Sequence, residues 1–302
     1  VINPQLAEAW VNRGYALFEI KLIEQSLASC DMALKIDPNL ASAWSNRGNA
    51  LLEIKQFNDA ITCYETALQI NPQIGRVWAN LAFAQINTSQ FEQSIASYRE
   101  AIRLEPDNLR IRNDFLLSIN YIEKFDVDVA FAEAQTFGSL VSERSTPKFT
   151  NWDNECKPEI LNIGFVSGDF CNHPVGYFIE GLVASLDPTQ FKLYAFSNQS
   201  MEDDLTDRIK PFFSEWIPIH KESDFDAANL IHNKNIHILF DLSGHTALNR
   251  LPVFSYKPAP VQASWLGYFA TTGLNEIDYF LSDPHMSTAS DDGHFTETIW
   301  RL

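Results

Sequence analysis

NPQLAEAWVNRG (residues 3–14), DPNLASAWSNRG (37–48) and NPQIGRVWANLA (71–82) align without a gap. Their step is 34 residues: Trp10, Trp44 and Trp78 keep it, as do Pro4, Pro38, Pro72 and Pro106. Gly14, Gly48 and Ala82 stand four residues after the Trp position, where a second helix can cross closely. Ser26, Ala60 and Ser94 fill the small slot of that second helix. Cys30, Tyr64 and Tyr98 fill its bulky slot, and Ala33, Ala67 and Ala101 its last small slot. Each Pro stops one helix and presets the backbone for the next.

A helix pair repeated in this way over residues 1–110 is the tetratricopeptide signature. One pair cannot bury its apolar face alone, so neighbours stack into a superhelix with a concave groove. The chain opens on what reads as the tail of a preceding repeat, Val1-Ile2-Asn3-Pro4, which predicts more repeats upstream. One polar position also recurs: Asn12, Asn46 and Asn80, two residues after each Trp. Asn is a poor helix former, so three at one phase call for a reason. They are either solvated or capping residues, or a ladder of amides that offers a donor and an acceptor to a peptide backbone. Asp114 and Arg112 then replace Asn and Trp, and the period is lost. Residues 111–146 read as a helical segment that caps the solenoid, and 147–159, with two Pro, as a linker.

The remainder, 160–302, has another grammar. LNIGFVS (161–167), FKLYAFS (191–197), IHILFDL (236–242), VQASWLG (261–267) and DYFLS (278–282) read as strands. Helical stretches 175–185, 203–213 and 224–233 lie between them. IHILFDL is almost continuously apolar, as a parallel strand covered on both faces requires. Strand and helix alternating in this way predict a doubly wound α/β domain, and so an α plus α/β chain. Ligands bind such sheets beyond the carboxyl ends of the strands. There the sequence places Ser167–Pro174, Ser243–Thr246 and Gly267–Gly273, three loops that combine Gly with hydroxyl, amide or imidazole groups.

With 45% hydrophobic and 20% charged residues the chain is a folding one. A net charge of −17, of which residues 1–110 carry only −3, argues against nucleic acid or an anionic membrane as the main partner. No apolar run spans a bilayer, and no signal peptide is visible, so a cytoplasmic protein is expected. Cys30, Cys63, Cys156 and Cys171 form no CxxC pair, which disfavours a zinc ribbon and suits a reducing compartment. The sequence lacks GxGxxG, GxxxxGK[ST] and GxSxG. Two D-x-D triplets, Asp126–Asp128 and Asp224–Asp226, could hold a metal–nucleotide pair, but Asp224 reads more simply as a helix cap. No metal and no cofactor are expected.

LNIGFVSGDFCNHPVGYFIEGL, IHNKNIHILFDLSGHT and KPAPVQASWLGYFATTG, in this order after tetratricopeptide repeats, resemble the O-GlcNAc transferase and SPINDLY-like family of protein glycosyltransferases. The resemblance covers essentially the whole chain. It implies two Rossmann-like lobes (a GT-B-type catalytic region), of which this chain holds the first. The second lobe would lie beyond Leu302, so the chain alone is expected to be inactive. It implies metal-independent, inverting transfer of GlcNAc from UDP-GlcNAc to Ser or Thr of proteins held by the repeats. The alternatives are GDP-fucose as donor, or a repeat scaffold whose α/β lobe has lost catalysis. By motif, His173 matches the family's NHP His and would face the reaction as acid, base or orienting group. His232 matches a second family His, although Asn229 stands where many members have an acid, while His237 reads as structural. Gly244, His245, Leu266, Gly267, Tyr268, Thr271, Thr272 and Gly273 would shape the sugar and acceptor site. Phe269 replaces the family's usual Pro, and His245 a Tyr of the animal enzyme. Asn12, Asn46 and Asn80 coincide with the family's acceptor-peptide ladder.

Overall fold

The computed structural model describes residues 6–123, 125–152 and 158–302. The upstream-repeat expectation at Val1–Pro4 and the reading of Cys156 lie outside them. The chain divides into two compact units, 1–124 and 125–302.

The first unit is a row of antiparallel helix pairs: α1 (Ala7–Glu19) with α2 (Ile23–Ile36), α3 (Ala41–Glu53) with α4 (Phe57–Ile70), and α5 (Gly75–Asn87) with α6 (Phe91–Leu104), followed by α7 (Leu109–Ile119). The small slots do what the period predicts. A Cβ at Gly14 would lie 2.9 Å from Cys30 Sγ, and one at Gly48 2.6 Å from the Tyr64 ring. Two of the small residues add a bond across the pair: Ser26 Oγ donates to the Gly14 carbonyl (2.7 Å) and Ser94 Oγ to that of Ala82 (2.9 Å). Lys21, Lys55 and Ser89 all adopt a left-handed φ near +60° between the paired helices. The next amide then reaches back to Leu17, Leu51 or Gln85, closing each first helix.

The repeat pattern runs further than the sequence suggests. Trp44 and Trp78 donate their indole N–H to the carbonyls of Pro38 and Pro72, each at 2.9 Å. Arg112 donates Nε to Pro106 O at 2.8 Å and is buried in the same place. Helix α7 is therefore the first helix of a fourth unit, with Arg standing in for Trp. The 111–146 stretch, expected as one capping segment, is split: α7 packs on α5 and α6, whereas α8 (Val127–Arg144) belongs to the second unit.

The second unit is built on seven parallel strands in the order β3-β2-β1-β4-β5-β6-β7: β1 (Leu161–Ser167), β2 (Phe191–Ser197), β3 (Glu215–Pro218), β4 (Ile238–Asp241), β5 (Val261–Ser264), β6 (Tyr279–Ser282) and β7 (Thr298–Arg301). Helices α9 (Pro174–Ser185), α10 (Asp204–Ile209), α11 (Asp224–His232) and α12 (Leu251–Ser255) lie in the crossovers. Phe165, Phe170, Ile179, Leu205 and Ile209 form the core under α9 and α10. Among the described residues no helix lies between β5 and β6. Helix α8, contributed from before the sheet, packs there instead: Phe137 meets the His245 ring edge-on at 4.8 Å, and a Cβ at Gly138 would overlap the Gly273 carbonyl. The linker docks as well, with Phe149 N–H donating to Tyr256 O (2.8 Å) and Trp152 Nε1 to Lys257 O (3.2 Å). The edge strands β3 and β7, absent from the sequence reading, are four residues long each.

Candidate functional site

In the order 3-2-1-4 the crossovers change side between β1 and β4, and the carboxyl ends of these two strands form the crevice where ligands of such sheets bind. Ser167 ends β1 and its Oγ accepts from Asp169 N–H (2.9 Å), which starts the loop. Asn172 ties that loop to α10. Its N–H donates to Asp203 (2.7 Å), its side-chain amide to Asp204 (2.6 Å), and its Oδ1 accepts from the Tyr177 hydroxyl (2.9 Å). So held, His173 becomes the N-cap of α9, with Pro174 at the first helical position. Its Nδ1 accepts from Val175 N–H at 3.3 Å. In the neutral ring the proton then sits on Nε2, and the half-exposed imidazole presents a donor outward. Asp169 lies 3.9 Å from Nδ1, and burial pushes its carboxyl above the ordinary carboxylate range.

The other loops of this edge are more buried than their composition suggests. Asp241, at the end of β4, is fully enclosed and accepts from Ser243 N–H (3.1 Å), Gly244 N–H (2.8 Å) and Ser264 Oγ (2.8 Å). Burial raises its pKa to about 6. Gly244 takes φ +53° under the Tyr268 ring, where a side chain would overlap that ring. His245 is fully buried between Phe137 and Tyr268, with Nε2 3.1 Å from the Thr272 carbonyl. Desolvation lowers its pKa to about 3, so it is neutral at physiological pH. Thr271 and Thr272 turn inward onto Glu297: Thr271 Oγ1 donates at 2.6 Å, Thr272 N–H at 2.8 Å, and the Thr272 hydroxyl donates as well. Gly273, at φ +76°, lies against the Ala134 carbonyl of α8.

The structure places part of the expected site set in the interior. His245, Thr271, Thr272 and Gly273 are buried, packed against α8 or bonded to Glu297. The Tyr268 ring is buried, and Gly244 makes room for it. Leu266 (φ +76°) and Gly267 stay half-buried at the rim, next to the exposed Phe269. His232 is not brought to His173. It closes α11 at the amino edge of the sheet, stacked on Phe149 at 4.0 Å. His237 is at the same edge, accepting from Asn162 N–H at 3.0 Å. Asp224 is not a cap, since Ser223 caps α11 and Asp224 pairs with Arg250 at 2.9 Å. Asp126 caps α8, and Asp128 meets His294 at 3.0 Å. Among the described residues no group of three or more His, Cys, Asp or Glu could hold a metal, and no helix is long and apolar enough to cross a membrane. The sequence reading placed Asp169 and Asn172 in a ligand loop without giving either a role, and missed Asp241 and Glu297. An acid next to an NHP turn was the available signal for Asp169.

On the first unit, a groove of about 600 Å³ is lined by residues of α1, α3, α5 and α7, with Lys55 and Phe57 from the α3–α4 turn and the start of α4. Asn80 lines it and donates Nδ2 to Asn49 Oδ1 (2.9 Å), which also accepts from the Tyr64 hydroxyl (2.9 Å). Asn46 is half-buried, its amide 3.5 Å from the Val11 carbonyl, and Asn12 is exposed.

The model of glycosyl transferase family 41 matches residues 140–300, from inside α8 to inside β7, and tetratricopeptide models match 7–40, 41–74 and 75–108. The chain belongs to glycosyl transferase family 41. Among family relatives it is 33% identical over 192 residues to a probable UDP-N-acetylglucosamine–peptide N-acetylglucosaminyltransferase SPINDLY of Solanum lycopersicum, covering 62% of this chain and 20% of that one. It is 36% identical over 173 residues to the Arabidopsis thaliana protein of the same description, covering 56% and 19%. The chain thus spans about a fifth of the length of the curated relatives it matches. A solved O-GlcNAc transferase mutant of Thermobaculum terrenum superposes with a TM-score of 0.84 at 29% identity, over 98% of this chain and 57% of that one. In this family-41 lobe, His173, Leu266 and Gly267 lie on the carboxyl edge, and Gly244, His245, Tyr268, Thr271, Thr272 and Gly273 are buried behind it.

Proposed function

We propose that this chain serves an inverting, metal-independent protein O-glycosyltransferase that moves GlcNAc from UDP-GlcNAc to Ser or Thr of proteins held by its repeats. The observation that carries the reading is His173. Inside the family-41 match, it is anchored by Asn172 and the α9 cap and turns a half-exposed ring out at the β1–β4 switch point. In the reaction the acceptor hydroxyl oxygen attacks the anomeric carbon. The bond from that carbon to the phosphate oxygen breaks, and the nucleoside diphosphate leaves with the electron pair. The hydroxyl proton passes to a base. Because Nδ1 is occupied by Val175, the neutral His173 ring offers Nε2–H, which suits orienting the acceptor oxygen or the departing diphosphate. Asp169 lies on the Nδ1 side of the same ring, at 3.9 Å. Buried Asp241 and Glu297 keep the neighbouring loops preorganised.

The test is His173→Ala in the complete gene product. Transfer should fall by about 10²–10⁴-fold with acceptor binding unchanged and the melting temperature lowered only by the loss of the α9 cap, worth about 0.5–2 kcal/mol. Parallel loss of binding and of folding would make His173 a structural cap only. His173→Asn retains a capping side chain and separates the two roles.

A further inference from the structure

The groove of the repeats has a charge opposite to that of the chain. Lys55, Arg76 and Arg110 line it, all exposed. Among the described residues its one acidic lining residue, Glu53, is already paired with Lys21 at 2.7 Å. Among the described residues, neither Lys55 nor Arg76 has an ion-pair partner, whereas Arg110 pairs at 3.8 Å with Asp114, a wall of a smaller cavity. This local excess of cations sits in a sequence of net charge −17. Its lining is also aromatic, from Phe18, Phe57 and Phe83. Phe83 and Asn87 are also walls of a second cavity of about 300 Å³, whose other walls include Phe91, Leu117 and Tyr121. The Phe83 ring, 48% exposed, is thus a wall common to both cavities.

We infer that this trough selects extended peptide segments in which acidic side chains flank a large apolar one. The amides of Asn49 and Asn80 contact the backbone, the three cations take the carboxylates, and the smaller cavity takes the apolar side chain. A backbone ladder alone reads no sequence. The cations and the second cavity add selection by charge and by size. The inference names the acceptor class for the transferase reading and rests on its premise that the repeats hold the acceptor, but not on transfer itself.

The experiment measures fluorescence anisotropy of the chain with a labelled extended peptide of Asp, Glu and Ser around one Phe. Controls carry Lys in place of the acids, or Ala in place of Phe. The acidic peptide should bind at least about tenfold tighter than the Lys peptide, and the difference should shrink as salt rises from about 50 to about 300 mM. Replacing Phe by Ala should weaken binding about tenfold. The triple variant K55E/R76E/R110E changes exposed residues only and should reverse the preference, with an unchanged far-ultraviolet spectrum and melting temperature. Equal affinity for acidic and basic peptides, no binding of either, or a preference that survives the triple reversal would overturn the inference. Because no donor is present, preserved selectivity without transfer in a separate assay would count against the transferase reading alone.

Discussion

His245 and Asp241 are buried beside one another's loops and titrate in opposite senses, so single substitutions should expose a pH dependence that the wild type conceals. Burial lowers the His245 pKa from its ordinary 6.5 to about 3. The unfolded chain then binds more protons than the folded one between these values. Stability from this group is complete above about 6.5 and lost as pH falls towards 3, by about 5 kcal/mol at about 1.4 kcal/mol per pH unit. Burial raises the Asp241 pKa from 3.8 to about 6, against the bonds from Ser264, Gly244 and Ser243. Here the folded state binds the extra proton. Its contribution is complete below about 3.8 and lost as pH rises to 6, by about 3 kcal/mol. Between about pH 4 and 6 the two slopes cancel. The perturbation is His245→Gln, which keeps a donor for the Thr272 carbonyl but does not titrate. Unfolding by urea, followed by tryptophan fluorescence at intervals from pH 4 to pH 6.5, gives the difference between variant and wild type, in which all other titrations drop out. Relative to wild type, the variant should lose about 3 kcal/mol as pH rises from 4 to 6. Asp241→Asn should gain about as much over the same interval. A difference that is flat with pH in both variants would refute the assignment of these two burial effects.

Three further outcomes concern the repeats. Gly48→Ala drives a methyl group into the Tyr64 ring and should destabilise the first unit by about 1–3 kcal/mol in urea unfolding, although Ala is the better helix former. Ser89→Gly relieves a left-handed residue and should raise stability by about 0.5–1 kcal/mol, visible as a higher urea midpoint at constant slope. Arg112→Trp should keep the fourth unit intact, because an indole N–H can reach the Pro106 carbonyl, whereas Arg112→Ala should cost about 1–3 kcal/mol; hydrogen exchange in α7 reads both.

What was legible in the sequence followed from periodicity. A step of 34 residues fixes which residues cross, and Gly48 and Ala82 are where it puts them. The apolar run at 236–242 announces a two-sided parallel strand for the same reason. The fourth unit was illegible because Arg112 and Trp78 share no apolar pattern; what they share is an N–H that reaches a proline carbonyl six residues back. Strands β3 and β7 are short edge strands with Glu, Pro or Arg in them, too brief for a period to register. The site divided along similar lines. His173 is set locally, by the NHP turn, and its position could be read. The burial of His245, Thr271 and Thr272 depends on α8 and Glu297, which lie far off in sequence and carry no local sign of that packing. His232 matched by residue type, but which edge of the sheet it reaches follows from the length of α11 and the short turn into β4.

Whether the protein transfers a sugar, and from which donor, is read directly by intact mass. The complete gene product is incubated with acidic–aromatic acceptor peptides bearing Ser and Thr, with UDP-GlcNAc in one arm and GDP-fucose in the other. The account predicts a mass gain of one N-acetylhexosamine per acceptor in the first arm, lost in His173→Ala. A gain of one deoxyhexose in the second arm alone would contradict the donor assignment. No gain in either arm from acceptors that demonstrably bind would contradict the transferase itself.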